Sequence, residues 1–326
     1  MNDLLYTFLI GFASAAILAG PIFKGLIALR ARQTVSQHVA EHAHKQGTPT
    51  MGGLIILAGA LPALAFWGSS VGFAKTLPTL ILVVGYALIG FVDDFVLPRV
   101  KKGSRGFGWI PKLVLQIGLA ALAVYLGGPA NHIVAAGAIF FVLFFSNAYN
   151  FTDGLDWLAG TVYLALALGL GLAAFFLNHS IWVFPLMAFV GAMLPFMYLN
   201  RPPARIFMGD VGSMAIGGML GLVVSSLLLP TSNTSVLATD FIGKEFSIVN
   251  FGLLALLSII MIVELVPVPL QILSVKLRKK RMFPMTPIHH AFQKAGWPEI
   301  KIVGLFAGVQ LVASVIVVLI LWQMSR

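Results

Sequence analysis

The sequence predicts an all-α, polytopic membrane protein of about ten transmembrane helices, and three observations carry that reading. Hydrophobic residues make up 59% of the 326 and charged residues only 10%, whereas a soluble domain is nearer half apolar and about a quarter charged. Apolar segments of about 17–25 residues, long enough to span a bilayer, recur along the whole chain with no soluble domain between them. The alternating pattern of barrel strands is absent, and backbone satisfaction in lipid leaves only helices as the other choice. The chain therefore reads as one transmembrane domain over residues 1–326.

Taken in order, the spans are 4–29, 51–67, 77–92, 110–126, 133–145, 158–177, 181–199, 211–229, 248–273 and 302–322. The first lacks a basic start and a small-residue cleavage site, so it reads as a retained helix and not a signal peptide. Links such as Gly127-Gly128-Pro129 and Asn178-His179 separate neighbours as tight helical hairpins require. Pro267 and Pro269 should break or kink the ninth span. With no cysteine, the chain has no disulfide framework, thiolate metal site or cysteine nucleophile.

The net charge of +10 is sorted by topology. One set of alternate connections carries Arg30, Arg32 and Lys45, then Arg99, Lys101, Lys102, Arg105 and Lys112, then Arg201 and Arg205, and finally the run from Lys276 to Lys301. The opposite set holds only Lys75, Lys244 and Arg326. By the positive-inside rule the first side is cytoplasmic and both termini face outward. The basic excess thus marks membrane orientation, with anionic lipid or phosphate substrates as a secondary use, and nucleic acid is not an expected partner.

Nearly every unusual polar stretch falls on that same face. Phe91-Val-Asp-Asp94 closes a long apolar run, and two adjacent carboxylates beside hydrocarbon are costly unless a cation meets them; a plain helix stop is the alternative. Asn147-Ala-Tyr-Asn-Phe-Thr-Asp-Gly-Leu-Asp156 is the densest cluster, with more polar groups than a short turn needs. Phe207-Met-Gly-Asp-Val-Gly-Ser213 puts Asp210 at a helix start, either as an N-cap or as a ligand that joins Asp93 and Asp94 around a hard divalent cation such as magnesium. Lys45-Gln-Gly-Thr-Pro-Thr-Met-Gly-Gly53 has the composition of a phosphate cradle without P-loop spacing, and equally suits a helix start. Pro287-Ile-His-His290 offers paired imidazoles for phosphate contacts or acid/base work. Glu264 lies inside the ninth span and needs a partner, expected on a neighbouring helix.

Together, Gly47-Thr-Pro-Thr-Met-Gly-Gly53, Asp93-Asp94, residues 147–156, Phe207-Met-Gly-Asp-Val-Gly-Ser213 and Pro287-Ile-His-His290 resemble the ordered signatures of the phospho-N-acetylmuramoyl-pentapeptide-transferases, within the polyprenyl-phosphate hexose-1-phosphate transferases. The resemblance implies transfer of phospho-MurNAc-pentapeptide from UDP-MurNAc-pentapeptide to undecaprenyl phosphate with Mg2+, at the inner face of the bacterial cytoplasmic membrane. It also implies roles. Asp210 would be the metal ligand, Asp93 the base, and Asp94 a positioner of lipid phosphate or metal. Lys45, Thr50, Asn150, Asp153, Gly154, Leu155, Asp156 and Phe207 would bind nucleoside or diphosphate, with Phe207 able to stack on uracil. Asn200 would support the metal site, His289 and His290 would lie over the sugar-phosphate side, and Lys112, with Lys101 or Lys102, would face phosphate. Relatives of this kind tend to form homodimers. Three places depart from the pattern: Ala291 stands where a third histidine is usual, Trp157 where glycine is common, and the Phe95-Val-Leu-Pro-Arg99 stretch after Asp94 lacks the early lysine often present and adds Pro98. A UDP-GlcNAc donor is the runner-up within the superfamily, and a transporter built on Glu264 and the broken ninth helix is a remote alternative.

Overall fold

A computed structural model describes residues 2–29, 47–100, 106–229 and 248–326. Its elements in chain order are α1 (Asn2–Ala28), α2 (Gly53–Val71), α3 (Phe73–Phe91), a π-helical turn (Val92–Val96), α4 (Leu97–Val100), α5 (Trp109–Leu126), α6 (His132–Thr152), α7 (Leu158–Phe176), α8 (Val183–Asn200) and α9 (Asp210–Leu228). Five more follow: α10 (Ile248–Leu257), α11 (Ile259–Leu265), α12 (Pro267–Arg278), α13 (Ile288–Lys294) and α14 (Glu299–Met324). No β-strand occurs among the described residues. Ten helical segments among the described residues are long and apolar enough to cross a membrane, each overlapping one of the expected spans, although the ninth runs Ile259–Arg278 and not 248–273.

Two boundaries differ from expectation, each for a local reason. The helix begun by α3 does not stop at Asp93-Asp94 but continues to Val100, because a π turn takes the helix through the pair. Leu97 N–H reaches back five residues to the Val92 carbonyl. Such turns are rare and concentrate at functional sites. Residues 147–152 are not loop either; α6 runs on through them, so Asn147 and Asn150 project from a helix. In the ninth span the chain breaks at Ser258 and again at Val266. The break at Val266 is the one expected from Pro267, which occupies the first helical position of α12, where its missing N–H costs nothing.

α9 is the axis of the bundle. Its span is 89% buried, against 17–61% for the others, and it packs along α6 and α3 and also touches α2, α7 and α8. Lipid supplies no hydrophobic force between helices, so close backbone approach must hold them together. Gly217 and Gly221 supply it against α6. A Cβ at Gly217 would lie 2.5 Å from the Phe145 carbonyl oxygen, and one at Gly221 2.5 Å from that of Phe141. On another side Gly53 of α2 meets Gly212 backbone to backbone. Just outside the helices, the Phe207 N–H donates to the Pro49 carbonyl (2.9 Å) and the Gly52 N–H to the Phe207 carbonyl (2.7 Å), which ties the entries of α2 and α9 into one ladder.

Gly217→Leu is expected to force α6 and α9 apart at an overpacking cost of roughly 1–3 kcal/mol or more. Thermal unfolding in detergent should show a lower Tm for this variant, whereas Gly252→Ala, with open space around it, should leave the Tm within about a degree.

Candidate active site

The N-terminus of α9 presents backbone N–H groups that have no partner within the helix. A local side chain usually caps them; here carboxylates arrive from elsewhere in the fold. The Asp210 N–H donates to Asp94 Oδ2 at 2.8 Å, across 116 residues of sequence, and the Gly209 N–H donates to the Asp153 carboxylate. Asp210 is thus the first helical residue and not the cap, and its own side chain is directed into the cluster. Gly209 has φ +72°, and a Cβ there would stand 2.5 Å from Asp94 Oδ2 and 2.8 Å from Thr50 Oγ1, so only glycine admits both neighbours.

Asp210 Oδ1 accepts from Asn150 Nδ2 at 2.7 Å, and the same amide donates to Ser213 Oγ at 2.8 Å. Asp210 Oδ2 accepts from Lys112 Nζ, which also donates to Asp93 Oδ2 at 2.9 Å. Asp93 Oδ1 accepts from the Phe107 N–H. The π turn permits this division of labour. Its wider turn reduces the angle between successive residues, so the neighbours Asp93 and Asp94 both reach the cluster, the first toward α5 and the second toward α9. Arg99 steadies the far end of the turn by lying 3.5 Å over the Phe95 ring and donating to the Leu29 carbonyl at 2.8 Å.

Four carboxylates, Asp93, Asp94, Asp153 and Asp210, therefore gather at the start of α9, and one ammonium, Lys112, bonds two of them, Asp93 and Asp210. The positive end of the α9 dipole offsets part of the excess. Burial above all, then the nearby Asp210 charge, pushes Asp153 well above the usual carboxylate range, against the pull of the Gly209 N–H. Among the described residues no three acidic or imidazole groups stand ready as a metal shell; the Lys112 ammonium sits between Asp93 and Asp210. The donors are hard oxygens, the chemistry that suits magnesium or manganese.

The other expected residues fall into two groups. Thr50 is buried against Gly209. Phe207 contributes its backbone to the ladder with Pro49 and Gly52. Asp156 and Asn200 join loops instead: Asp156 Oδ2 accepts from the Ala204 N–H (2.8 Å), and Asn200 accepts from the Trp157 N–H (2.8 Å) and donates to the Ile206 carbonyl (2.8 Å). Leu155 is buried in the same turn. Trp157 adopts φ +69°, a left-handed conformation that glycine enters freely, and its indole N–H compensates by donating to the Met197 carbonyl at 2.8 Å. Gly154 lies against His289, while His290 Nδ1 pairs with Gln293 Oε1 at 2.6 Å. The partner of Glu264 is, as expected, a polar residue of a neighbouring helix: His289 of the short helix α13. Lys45, Lys101 and Lys102 lie outside the described residues. Sequence reading missed the Phe107 amide on Asp93, for which the flanking Gly106 and Gly108 were the available signal.

A family model described as glycosyl transferase family 4 matches residues 76–228, and a phospho-N-acetylmuramoyl-pentapeptide-transferase signature matches residues 45–57. The phospho-N-acetylmuramoyl-pentapeptide-transferase of Leuconostoc mesenteroides is 33% identical, covering 98% of this chain and 99% of its own. The protein of that name from Wolbachia sp. subsp. Brugia malayi is 36% identical over 84% of each chain. Its counterpart in Thermotoga neapolitana is 36% identical over 93% of this chain and 96% of its own.

A carboxyl whose pKa is raised by folding holds its proton more tightly in the native than in the unfolded chain, so it subtracts stability once the pH exceeds the unfolded value of about 3.9. Asp153→Asn is therefore expected to raise the Tm of the metal-free protein by a few degrees at pH 8, and by progressively less as the pH falls toward about 4. Scanning fluorimetry across that range checks the sign. At the left-handed position, Trp157→Ala should destabilise more than Trp157→Gly, because alanine loses the indole bond and keeps the backbone strain, a difference of roughly 1 kcal/mol.

Proposed function

The chain belongs to the phospho-N-acetylmuramoyl-pentapeptide-transferase family, and on that premise we propose that it moves phospho-MurNAc-pentapeptide from UDP-MurNAc-pentapeptide to undecaprenyl phosphate, yielding lipid I and UMP. This is the first membrane step of peptidoglycan synthesis. The observation that carries the reading is the convergence of Asp93, Asp94, Asp153 and Asp210 on Lys112 and the N-terminus of α9. Such a site takes cations and phosphates together, at the ends of helices that a lipid can approach from the side.

In the reaction an oxygen of the lipid phosphate attacks the phosphorus that bears the sugar, a P–O bond forms, and the diphosphate P–O bond breaks to release UMP. Asp93, bonded to Lys112 and the Phe107 amide, takes the proton of the lipid phosphate. Lys112 faces the phosphates as the negative charge shifts between them, the main requirement of phosphoryl transfer. Asp210 would hold a magnesium ion, which supplies neutralisation of the diphosphate when bound. Asn150 holds the Asp210 carboxylate in place. Asp94 and Asp153 fix the start of α9, so their effect on the phosphates is exerted through the position of Asp210. Thr50 and Phe207 frame the nucleoside side, and Asp156 and Asn200 hold the turns beneath it.

The site faces the cytoplasm, both termini lie outside, and the protein resides in the bacterial cytoplasmic membrane as one catalytic domain that can pair as a homodimer. The positive-inside distribution of Lys and Arg supports that orientation. A transporter reading has little support, because it rested on Glu264, and both carboxylate oxygens of that residue are engaged by His289.

Purified protein is expected to release UMP from UDP-MurNAc-pentapeptide only when undecaprenyl phosphate and Mg2+ are both present. Release from UDP-GlcNAc in place of the muramoyl donor would move the chain to the sister activity, and no release from either would reject the proposal. Asp210→Asn should lower turnover more than about a hundredfold and weaken Mg2+ binding. Asp93→Asn should lose turnover comparably while metal and nucleotide binding, measured by calorimetry, stay near the wild-type values. Equal Mg2+ affinity in the wild type and Asp210→Asn would remove Asp210 as the ligand.

A further inference from the structure

Glu264 lies on α11 within a membrane-crossing segment, fully buried, where an unpartnered carboxylate is expensive. Both of its oxygens meet one residue. Oε2 is 2.7 Å from His289 Nδ1, and Oε1 accepts the His289 backbone N–H at 3.2 Å. A carboxylate can only accept, so the ring proton sits on Nδ1 and the imidazole cannot rotate away. The opposite nitrogen, Nε2, is buried and has no hydrogen-bond partner. It faces Gly154, where a Cβ would lie 2.1 Å from it, in the turn that follows Asn150 and Asp153. A buried imidazole nitrogen without a partner is unusual, and here it is held directly against the Gly154 turn.

The structure assigns Glu264 the role of a positioning residue: it clamps His289 by ring and backbone so that Nε2 is delivered, in one tautomer, to the turn at residues 150–156. Resting on the transferase reading, this makes Glu264 necessary for the sugar-phosphate side of the reaction, though it touches no substrate. The isosteric Glu264→Gln reverses the polarity. When the amide oxygen accepts the His289 N–H, the amide NH2 confronts Nδ1 and must donate to it. The ring then carries its proton on Nε2, and the group offered to the site changes from acceptor to donor.

Two measurements test this on the full-length protein. The 15N spectrum of histidine-labelled protein, with His289→Gln used for assignment, should show Nδ1 protonated in the wild type and Nε2 protonated in Glu264→Gln. Turnover of UDP-MurNAc-pentapeptide by Glu264→Gln should fall about 10- to 100-fold, the usual effect of removing an orienting carboxylate. Its KM should stay within about threefold. In a His289→Gln background the same change should cost less than about twofold, because two residues acting as a unit are not additive. Unchanged tautomers, wild-type turnover in Glu264→Gln, or an additive loss in the double variant would each overturn the assignment. If Glu264→Gln does not fold, Glu264→Asp keeps the acceptor and should keep Nδ1 protonated with measurable turnover; an Nε2-protonated ring in that variant is equally fatal. The spectra need no substrate, so a wild type inactive toward both donors would reject the transferase reading while the tautomers still decide the clamp.

Discussion

The amide groups at the start of α9 require acceptors, and the fold supplies them from far away in the chain. Asp94 and Asp153 meet the Asp210 and Gly209 N–H groups, and that demand brings the ends of α3 and α6 onto a single point. Once they are there, Asp210 and Asp93 stand within reach of each other, and Lys112 of α5 is drawn between them. Capping and charge compensation are one arrangement here. A change that moves the start of α9 also moves every group around it.

The apolar body of the protein serves the same end. α9 can sit at the centre only because Gly217, Gly221 and Gly212 let α6 and α2 come to backbone contact. Close packing of this kind is stiff, and so the polar cluster rests on a rigid base at the end of the bundle. The π turn at Val92–Val96 adds the one irregularity required: it carries two adjacent carboxylates into the same cluster without ending the helix that bears them. A second support lies on the other side, where Glu264 and His289 fasten the short helix α13 over the Gly154 turn.

Much of this was legible in the chain itself. The ten crossing segments were readable because lipid forces long apolar runs, and their cations sort by side because membrane insertion does. Asp93, Asp94, Asn150, Asp153 and Asp210 could be singled out because polar groups are costly at those places and must have partners. Their pairing was not readable. Asp210 reads equally as an N-cap or as a metal ligand, and nothing near it in sequence reveals that Asp94, 116 residues away, accepts its N–H. The sequence likewise hides the local partners of Asp156 and Asn200, the amides and carbonyl of adjoining turns.

By itself the sequence determined the helical membrane class, the number of candidate crossings and the polar residues that must find partners, because each depends on composition or on local cost. Only the tertiary structure decided which two carboxylates cap, which two meet the lysine, which histidine is held and by what. Those are choices among chemically equivalent side chains. They are made by helix packing at ångström distances, which hydropathy and spacing do not encode.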